Sequence, residues 1–425
     1  MIKRTVLFSI LCLLIFKAGH AQKFSRTLLK ADKLYIKKDY RNAVLLYEKY
    51  LRKNQRDFYA SRQAARCYGK LNDPSMAIDY WPAVIENGEA GEADNFDYAR
   101  CLLANYRSED ARKVFISLSR SSNTAISAWG KAYMNPGQFF RDSALCKVTE
   151  VSGINTAGHE FCPVLRNGML YFISDEMKGV KVTNAIADQH VLEVRSAAVT
   201  DSTHLQAPAV FIRPLPRRVN GPFCFSGDGT TLFLTRAVYS RDLGIRKVEP
   251  FYRFQIYTAP VSSPDAGQAF AYNMTDHDLM HPFVSADGSR LYFSSDMKGT
   301  LGGKDIFVCE LVNGVWGAPV NLGPEVNTAG NEMFPCLSDE GLLYFASDAR
   351  PGLGGLDVFI AEPAIGGKRF KEARNAGSPI NTQFDDYGIF LLPGGKTGYL
   401  SSNRKNNTDD DIFYFRSSRP EAKKP

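Results

Sequence analysis

The sequence predicts an α + β multidomain protein in which an N-terminal solenoid of α-helices precedes an all-β propeller. Two internal repeats carry this prediction. In the first third of the chain, small and large apolar residues recur with a period of 34 residues. In the rest, a phrase made of an aromatic strand, a glycine-rich turn and an Asp-led strand recurs, as LYFSSDMKGTLGGKDIF from Leu291 and as LYFASDARPGLGGLDVF from Leu343.

The first 21 residues have the pattern of a secretory signal peptide. Lys3 and Arg4 precede an apolar run from Val6 to Phe16, which is too short to span a bilayer. Small residues follow it, and the expected cleavage lies before Gln22. We therefore expect residues 1–21 to be removed, no other membrane span, and an exported mature chain.

The helical segment is predicted from alanines that keep one spacing. They form two series, Ala31, Ala65 and Ala99, and Ala43, Ala77 and Ala111. Small residues at fixed positions allow paired helices to approach closely. This period, together with DYRNAVLLYEKYL at 39–51, resembles the tetratricopeptide repeat, which we expect over residues 22–142. Stacked helix pairs of this kind form concave surfaces that bind protein segments.

Three local features complete the helical prediction. Asp73 followed by Pro74 indicates the start of a helix. Pro82 then falls inside that helix, so the sequence predicts a kink there. The segment AISAWGKAYM at 125–134 is predicted to be a terminal capping helix.

Positive charge is concentrated near the start of the helical segment. Residues 22–146 carry 21 basic and 14 acidic residues. A candidate partner-binding surface consists of Lys37, Lys38, Arg41, Arg52, Lys53 and Arg56. These side chains form either a solvated helix face or a docking surface for an acidic partner or anionic lipid headgroups. Nucleic acid is not an expected partner of an exported chain.

The propeller is predicted over residues 143–418, with a disordered tail at 419–425. Five copies of a strand, a tight turn and an aromatic strand are present, with turns at Asn167-Gly168, Asp228-Gly229, Asp287-Gly288, Glu340-Gly341 and Gly394-Gly395. The last copy ends after its third strand, so residues near 147–152 are expected to supply its outer strand and close a five-bladed ring. Six blades remain possible if the inserts at 180–215 or 236–275 conceal another.

The glycine-rich phrase is either an active site used twice or the structural unit of a blade. We favour the structural unit, in which acidic residues start a strand or accept hydrogen bonds from loop backbone. The predicted structural residues are Asp296, Asp305, Asp348, Asp357 and Asp411. A cation site is the alternative, although no repeat has the spaced acids of an EF-hand.

Seven cysteines follow the signal, without CxxC or zinc-ligand spacing. Buried free thiols are the favoured interpretation, although export would permit disulfides. No cofactor or metal is expected.

The phrases LYFSSD and GGKDIF, and INT followed by an acidic pair, resemble the PD40 repeats related to WD40 and TolB-type propellers. With a signal peptide and helical repeats before them, they resemble PorE-type proteins of Bacteroidetes. That resemblance implies a periplasmic component at the inner face of the outer membrane, associated with type IX secretion or gliding. It also implies a protein partner such as an outer-membrane barrel of the PorP/SprF type. Peptidoglycan binding is not expected, because the chain lacks the OmpA-like domain of that family.

Three functional hypotheses follow. The first is a non-enzymatic scaffold that binds partners through its helical repeats and through propeller loops, above all the inserts at 176–215 and 237–275. The second is a propeller hydrolase or lyase, for which His277 and His281 with Asp276 and Asp278 are the suggestive group. The third is a sensor that binds a glycan or peptide in the propeller channel. The sequence favours the scaffold.

Overall fold

The computed structural model describes residues 25–71, 73–175, 192–213, 218–239, 242–243, 252–265, 267–366, 369–405 and 409–418. The predicted signal peptide, the predicted tail and parts of both inserts lie outside these residues. The chain divides into two compact units, with the boundary between Cys101 and Leu102. Within the described residues, no helix is long and apolar enough to cross a membrane.

The described residues begin with eight α-helices, which confirms the prediction of a helical segment before the propeller. They are α1 (Arg26–Ile36), α2 (Tyr40–Leu51), α3 (Phe58–Lys70), α4 (Pro74–Ala77), α5 (Trp81–Ile85), α6 (Glu92–Ala104), α7 (Ser108–Ser117) and α8 (Thr124–Met134). Side-chain caps fix where several begin: Ser25, Asp39 and Asp57 each accept a hydrogen bond from a backbone N–H in the first turn. The alanines of the 34-residue series are buried between helices, where larger side chains would hold the backbones apart.

The predicted kink at Pro82 is a full break. Asp73 caps α4 through the N–H of Met76, as expected, but α4 ends at Ala77 and α5 starts only at Trp81. Proline has no N–H to donate to the carbonyl four residues earlier, and its ring crowds that carbonyl, so the two helices do not join.

In the second unit, α7 and α8 precede the propeller. Stacked rings join the two helices: the ring centroids of Phe115 lie 5.1 Å from Trp129 and 4.6 Å from Tyr133. The Trp129 indole N–H donates to the carbonyl of Ala349 at 3.0 Å, and the Tyr133 hydroxyl donates to that of Gly352 at 2.8 Å. The helix predicted as a terminal cap therefore packs on a propeller loop.

Twenty-two strands follow in the described residues. Blade 1 contains β2 (Glu160–Arg166), β3 (Met169–Ser174), β4 (Glu193–Asp201), β5 (His204–Leu205) and β6 (Ala209–Ile212). Blade 2 contains β7 (Arg218–Phe225), β8 (Thr231–Tyr239), β9 (Tyr252–Pro260) and β10 (Gln268–Ala269). Blade 3 contains β11 (Leu279–Val284), β12 (Arg290–Ser295), β13 (Asp305–Val312), β14 (Val315–Trp316) and β15 (Val320–Asn321). Blade 4 contains β16 (Glu332–Leu337), β17 (Leu343–Ser347), β18 (Asp357–Ala361) and β19 (Arg374–Asn375).

Blade 5 closes the ring with strands from both ends of the propeller. Strands β20 (Asp386–Leu391), β21 (Thr397–Ser402) and β22 (Asp411–Ser417) come from its C-terminal end. The outer strand is β1 (Cys146–Glu150), which pairs antiparallel with β22 from Cys146 opposite Ser417 to Glu150 opposite Phe413. The predictions of five blades and of closure by the segment near residue 147 are confirmed.

Four asparagines join successive blades. Each side chain accepts a hydrogen bond from the N–H of one residue in the preceding blade and donates to the C=O of that same residue, at 2.7–3.0 Å. The pairs are Asn155 with Ile412, Asn273 with Ile256, Asn327 with Ile306, and Asn381 with Val358. These blade-joining asparagines satisfy buried backbone groups between the sheets and fix one blade on the next.

Candidate functional site

The candidate site is a cavity of ≈ 540 Å³ between the five innermost strands, β2, β7, β11, β16 and β20. Each of these strands is the edge of its sheet, so one side of its backbone faces the propeller axis. The volume lies within the range of small-molecule sites. This cavity is the propeller channel in which the third sequence hypothesis places a glycan or peptide.

An irregularity in every inner strand shapes the cavity wall. The pairing register shifts once in each, between Phe161 and Val164 in β2 and at the corresponding places in the other four. At this point φ is positive for Cys162, His281, Phe334 and Gly388. Such a β-bulge redirects the side chain at its position, and here it brings side chains to the axis.

Prolines accompany the bulges in four of the five inner strands. They are Pro163, Pro222, Pro282 and Pro335, and all four line the cavity. Because proline has no N–H, the wall at this level offers carbonyl acceptors and apolar rings but fewer donors. A ligand that donates hydrogen bonds suits such a wall better than one that only accepts them.

A chain of aromatic contacts extends from the cavity wall. The His281 imidazole stacks on Phe334 with ring centroids 3.8 Å apart. Phe334 in turn lies 4.8 Å from Tyr387, which lies 6.5 Å from Phe161. The four rings come from four different inner strands, so this chain of aromatic contacts connects blades 3, 4, 5 and 1.

His281 is a buried titratable group of this site. Its side chain is 9% exposed, and its backbone N–H donates to the Thr235 hydroxyl at 2.9 Å. Burial, with a smaller contribution from the charge of Lys304, lowers the pKa of His281 to about 3. Its Nδ1 has no hydrogen-bond partner in the described part of the protein. The imidazole is therefore neutral at ordinary pH and can still form a hydrogen bond.

Charged side chains line the cavity near the hairpin turns, with both signs present. Arg166 and Arg290 are the cations, and Asp287 and Asp339 the anions. Asp287 accepts hydrogen bonds from Ser285 and Ser289, which lower its pKa to about 2. The two positive and two negative charges balance, so this end of the cavity favours neither a cationic nor an anionic ligand.

Three cysteines line the same cavity, namely Cys162, Cys224 and Cys336. They and the other four described cysteines carry free, buried thiols, as predicted. Burial raises the pKa of Cys224 and of Cys336 to about 12. Since the thiolate is the nucleophilic form, these thiols are chemically quiet.

The predicted structural aspartates lie in blade loops or at the first position of a strand, and none of them lines the cavity. Asp296 and Asp348 accept hydrogen bonds from the N–H groups of Asp278 and Asn331, where the chain enters blades 3 and 4. Asp305 accepts from the N–H of Leu301, 2.8 Å away in the glycine-rich loop.

Asp357 and Asp411 occupy the same strand-start position as Asp305. Asp357 accepts from the N–H groups of Leu353 and Gly354, at 2.6 and 3.1 Å. Asp411 lies 3.9 Å from the Lys405 ammonium, and burial raises its pKa to about 6. Each of these carboxylates serves its own blade, and the fold does not bring the five together.

The candidate partner-binding residues are all exposed but form two groups. Lys37, Lys38 and Arg41 lie at the start of α2, whereas Arg52, Lys53 and Arg56 lie at its end. At 1.5 Å per residue the groups are roughly 17 Å apart. Arg56 also pairs with Glu86 at 2.7 Å on the surface. The six residues are therefore not one patch.

The histidine group suggested by the sequence is divided. His281 lies buried in β11, whereas His277 lies in the preceding loop, 3.5 Å from Asp276 and 4.0 Å from Asp296. Asp278 pairs with Arg253 at 3.0 Å. Among the described residues, no group of three or more His, Cys, Asp or Glu side chains is placed to hold a metal ion.

Sequence reasoning missed the bulges and the chain of aromatic contacts. A signal was present: Cys-Pro, Gly-Pro, His-Pro and Phe-Pro pairs recur in four inner strands. A proline inside a strand indicates an edge or a bulge. The spacing of four residues between His277 and His281 instead suggests that the two act together, but the fold separates them.

No protein-family model matches the sequence, and neither does any curated protein sequence. Among solved structures, a TolB-like protein from Agrobacterium tumefaciens is similar at 14% identity, with 60% of this chain and 76% of that one covered and a TM-score of 0.34. A protein of unknown function from Dyadobacter fermentans is similar at 14% identity, with 61% and 79% covered and a TM-score of 0.37. An exo-β-1,3-galactanase from Clostridium thermocellum has 12% identity, 63% and 61% covered and a TM-score of 0.41.

Proposed function

We propose that this protein, which combines N-terminal helices with a five-bladed β-propeller, is a non-enzymatic interaction scaffold. The observation that supports this most directly is how the ring is held: β1 closes it, and asparagines join successive blades at four places. A surface that is already ordered loses little conformational entropy on binding. A rigid ring can therefore hold partner proteins at fixed positions relative to each other.

We further propose where in the cell the protein acts and which partners it binds. The helices are tetratricopeptide-type repeats that bind one protein segment, and propeller loops bind another. The predicted export signal and the PorE-like phrases support a periplasmic component at the inner face of the outer membrane. An outer-membrane barrel of the PorP/SprF type, or another component of type IX secretion or gliding, is the partner class we propose.

The test is a pull-down of the tagged full chain from mildly solubilised envelopes, followed by mass spectrometry. We expect an outer-membrane barrel or secretion component to co-purify. A variant with Lys37, Lys38 and Arg41 changed to Glu should lose it if the start of α2 contacts the partner. The matched control changes Lys131, Lys147 and Lys298, which are exposed elsewhere, to Glu. If no protein co-purified with the unmodified chain above background, the scaffold proposal would be overturned.

A second candidate function is a channel sensor for a neutral ligand. The buried, uncharged His281, stacked on Phe334 at a cavity of ≈ 540 Å³, supports it. The proline-rich wall favours a ligand that donates hydrogen bonds, such as a sugar or a short neutral peptide. Ligand-detected NMR with neutral monosaccharides and with N-acetyl-tyrosinamide would test it. His281→Phe should abolish a genuine signal, and signals equal in both proteins would exclude the site.

A further inference from the structure

The positive charge of the whole chain is concentrated in one short segment. Residues 25–56 contain ten Lys and Arg and three Asp and Glu, from chain totals of 52 and 45. The other 393 residues are therefore balanced, with 42 of each sign. The formal net charge of +7 is thus equal to that of the first two helices and the turns beside them.

The acidic side chains of this segment are engaged within the fold. Asp32, on α1, accepts hydrogen bonds from the hydroxyls of Tyr47 and Tyr59 at 2.6 and 2.8 Å. Glu48, on α2, accepts from the hydroxyls of Tyr68 and Tyr80 at 2.5 and 3.0 Å.

The third acid, Asp39, caps α2 through the backbone N–H of Asn42. All three carboxylates are hydrogen-bonded within the protein and only partly exposed, whereas the ten cations of the segment are all exposed.

The exposed side of α1, together with the residue that ends it, is a stripe of cations beside apolar residues. Its members are Arg26, Leu29, Lys30, Lys33 and Ile36 of α1, and the C-cap residue Lys37. At 3.6 residues per turn the four cations fall within about 60° of the helix circumference, and the two apolar side chains lie next to them. No acidic residue shares this face, since the single acid of α1 is Asp32. We call these six residues the α1 stripe.

We propose that the α1 stripe binds the surface of a membrane that contains anionic lipids. Cations alone would suit an acidic protein equally well, but the stripe also exposes large apolar side chains. Leu29 is 47% exposed and Ile36 80% exposed. Lys and Arg reach lipid phosphates through long side chains while neighbouring apolar groups enter the headgroup boundary. A protein segment with only acidic side chains would leave these two apolar residues without a favourable partner.

The same pattern continues on α2 with lower density. Arg41, Leu45 and Lys49 lie exposed at intervals of four residues, and Leu45 is 56% exposed. Attraction of basic residues to anionic lipids decays over about 10 Å at ordinary ionic strength. The binding is therefore reversible and sensitive to salt. It does not depend on which proteins the scaffold binds.

The test measures co-sedimentation of the exported full chain with vesicles. One set contains phosphatidylcholine only, and the other contains phosphatidylcholine with about one third phosphatidylglycerol. We expect binding to the second set, lost in high salt. Changing Arg26, Lys30 and Lys33 to Glu should weaken it at least about tenfold, because each basic residue near an anionic surface contributes. Leu29→Ser with Ile36→Ser should weaken binding without changing its salt dependence.

The control reverses Lys131, Lys147 and Lys298 and therefore has the same net charge as the α1 variant. Circular dichroism checks that all variants are folded. Equal weakening by both triple variants would mean non-specific attraction and would overturn the proposal. So would the absence of binding to phosphatidylglycerol vesicles. A third outcome is that the unmodified chain does not bind vesicles but co-purifies with an acidic protein that the α1 variant fails to bind. That outcome would mean that the α1 stripe binds this protein and not a membrane.

Discussion

The Tyr133 hydroxyl donates a 2.8 Å hydrogen bond to the backbone carbonyl of Gly352, in the loop between the second and third strands of blade 4. One turn earlier in α8, the Trp129 indole bonds the carbonyl of Ala349 in the same loop. Both carbonyls belong to the same glycine-rich loop of blade 4. A helix that the sequence assigns to the solenoid therefore supports the propeller.

The first prediction tests this contact. Tyr133→Phe leaves the buried Gly352 carbonyl without its donor, so the free energy of unfolding should fall by about 1–3 kcal/mol. Trp129→Phe should have a similar effect. Urea unfolding followed by tryptophan fluorescence for Tyr133→Phe, and by circular dichroism for both, measures the loss. Tyr239→Phe is the control, and a loss as large there would show that the hydroxyl of Tyr133 has no particular role.

The second prediction concerns the blade-joining asparagines. Asn381 is fully buried, and its amide bonds both the N–H and the C=O of Val358 at 2.8 Å. Asn381→Leu leaves both backbone groups buried without partners, which should cost about 2–4 kcal/mol of stability.

Thermal unfolding of Asn381→Leu and of the exposed control Gln206→Leu provides the measurement. Hydrogen exchange should also rise at the amide of Val358 in the Asn381 variant. An unchanged melting temperature would mean that inter-blade apolar packing alone holds this joint.

The blade-joining asparagines also show which parts of the fold the sequence could predict and which it could not. The turns, the Asp-led strands and the closing strand are short sequence patterns that repeat. The structure of one copy can therefore be predicted by comparison with another. The asparagines repeat too, but their partners are 17 to 257 residues away along the chain, and nothing local identifies them. The predicted two-residue turn is confirmed for Asn167-Gly168, between paired Arg166 and Met169. The prediction is wrong in the other four blades, where the loops have three or four residues: Ser226 bonds Thr231, Ser285 bonds Arg290, Ser338 bonds Leu342 and Leu392 bonds Thr397.

The cavity was beyond sequence reasoning for a related reason. A buried neutral histidine and a metal-binding histidine look alike in a sequence. Only the bulge in β11, which places His281 against Phe334, distinguishes them. The basic residues show the opposite case, because the sequence identified their charge but could not show that Asp32 and Glu48 are turned inward.

The third prediction is a pH dependence that arises from His281. Burial lowers its pKa from 6.5 to about 3. Between these values the unfolded chain binds the proton and the folded chain does not, so the free energy of unfolding falls as the pH drops through this window. At pH 4.5 this contribution is about 2–3 kcal/mol. His281→Phe keeps a ring against Phe334 and should lose correspondingly less stability between pH 7 and pH 4.5.

The comparison needs a histidine on the surface. The side chain of His204, the first residue of β5 in blade 1, is 66% exposed, so His204→Phe should keep the acid sensitivity of the unmodified protein. Urea unfolding at the two pH values measures all three proteins. If the His281 variant lost as much stability as the others, other groups would account for the acid effect.

The last prediction concerns why the glycine-rich phrase contains paired glycines. A Cβ on Gly302 would overlap the backbone of Ala329, and one on Gly354 would overlap the carbonyl of Phe384. Each of these two neighbours lies in the loop that leads into the next blade, so the glycines let one blade's loop lie against the next blade's entry loop. Gly302→Ala should force the two backbones apart and cost about 1–3 kcal/mol.

Thermal unfolding provides the measurement for this last pair of variants. Gly137→Ala is the matched control, because its Cβ would meet only the Asn135 side chain at an ordinary 3.6 Å. Equal melting temperatures of Gly302→Ala and Gly137→Ala would mean that the loop containing Ala329 moves aside without loss of stability. A selective loss at Gly302 would instead explain the repetition of the phrase in blades 3 and 4: the glycines recur because the backbone contact between blades recurs, with no need for an active site in either copy.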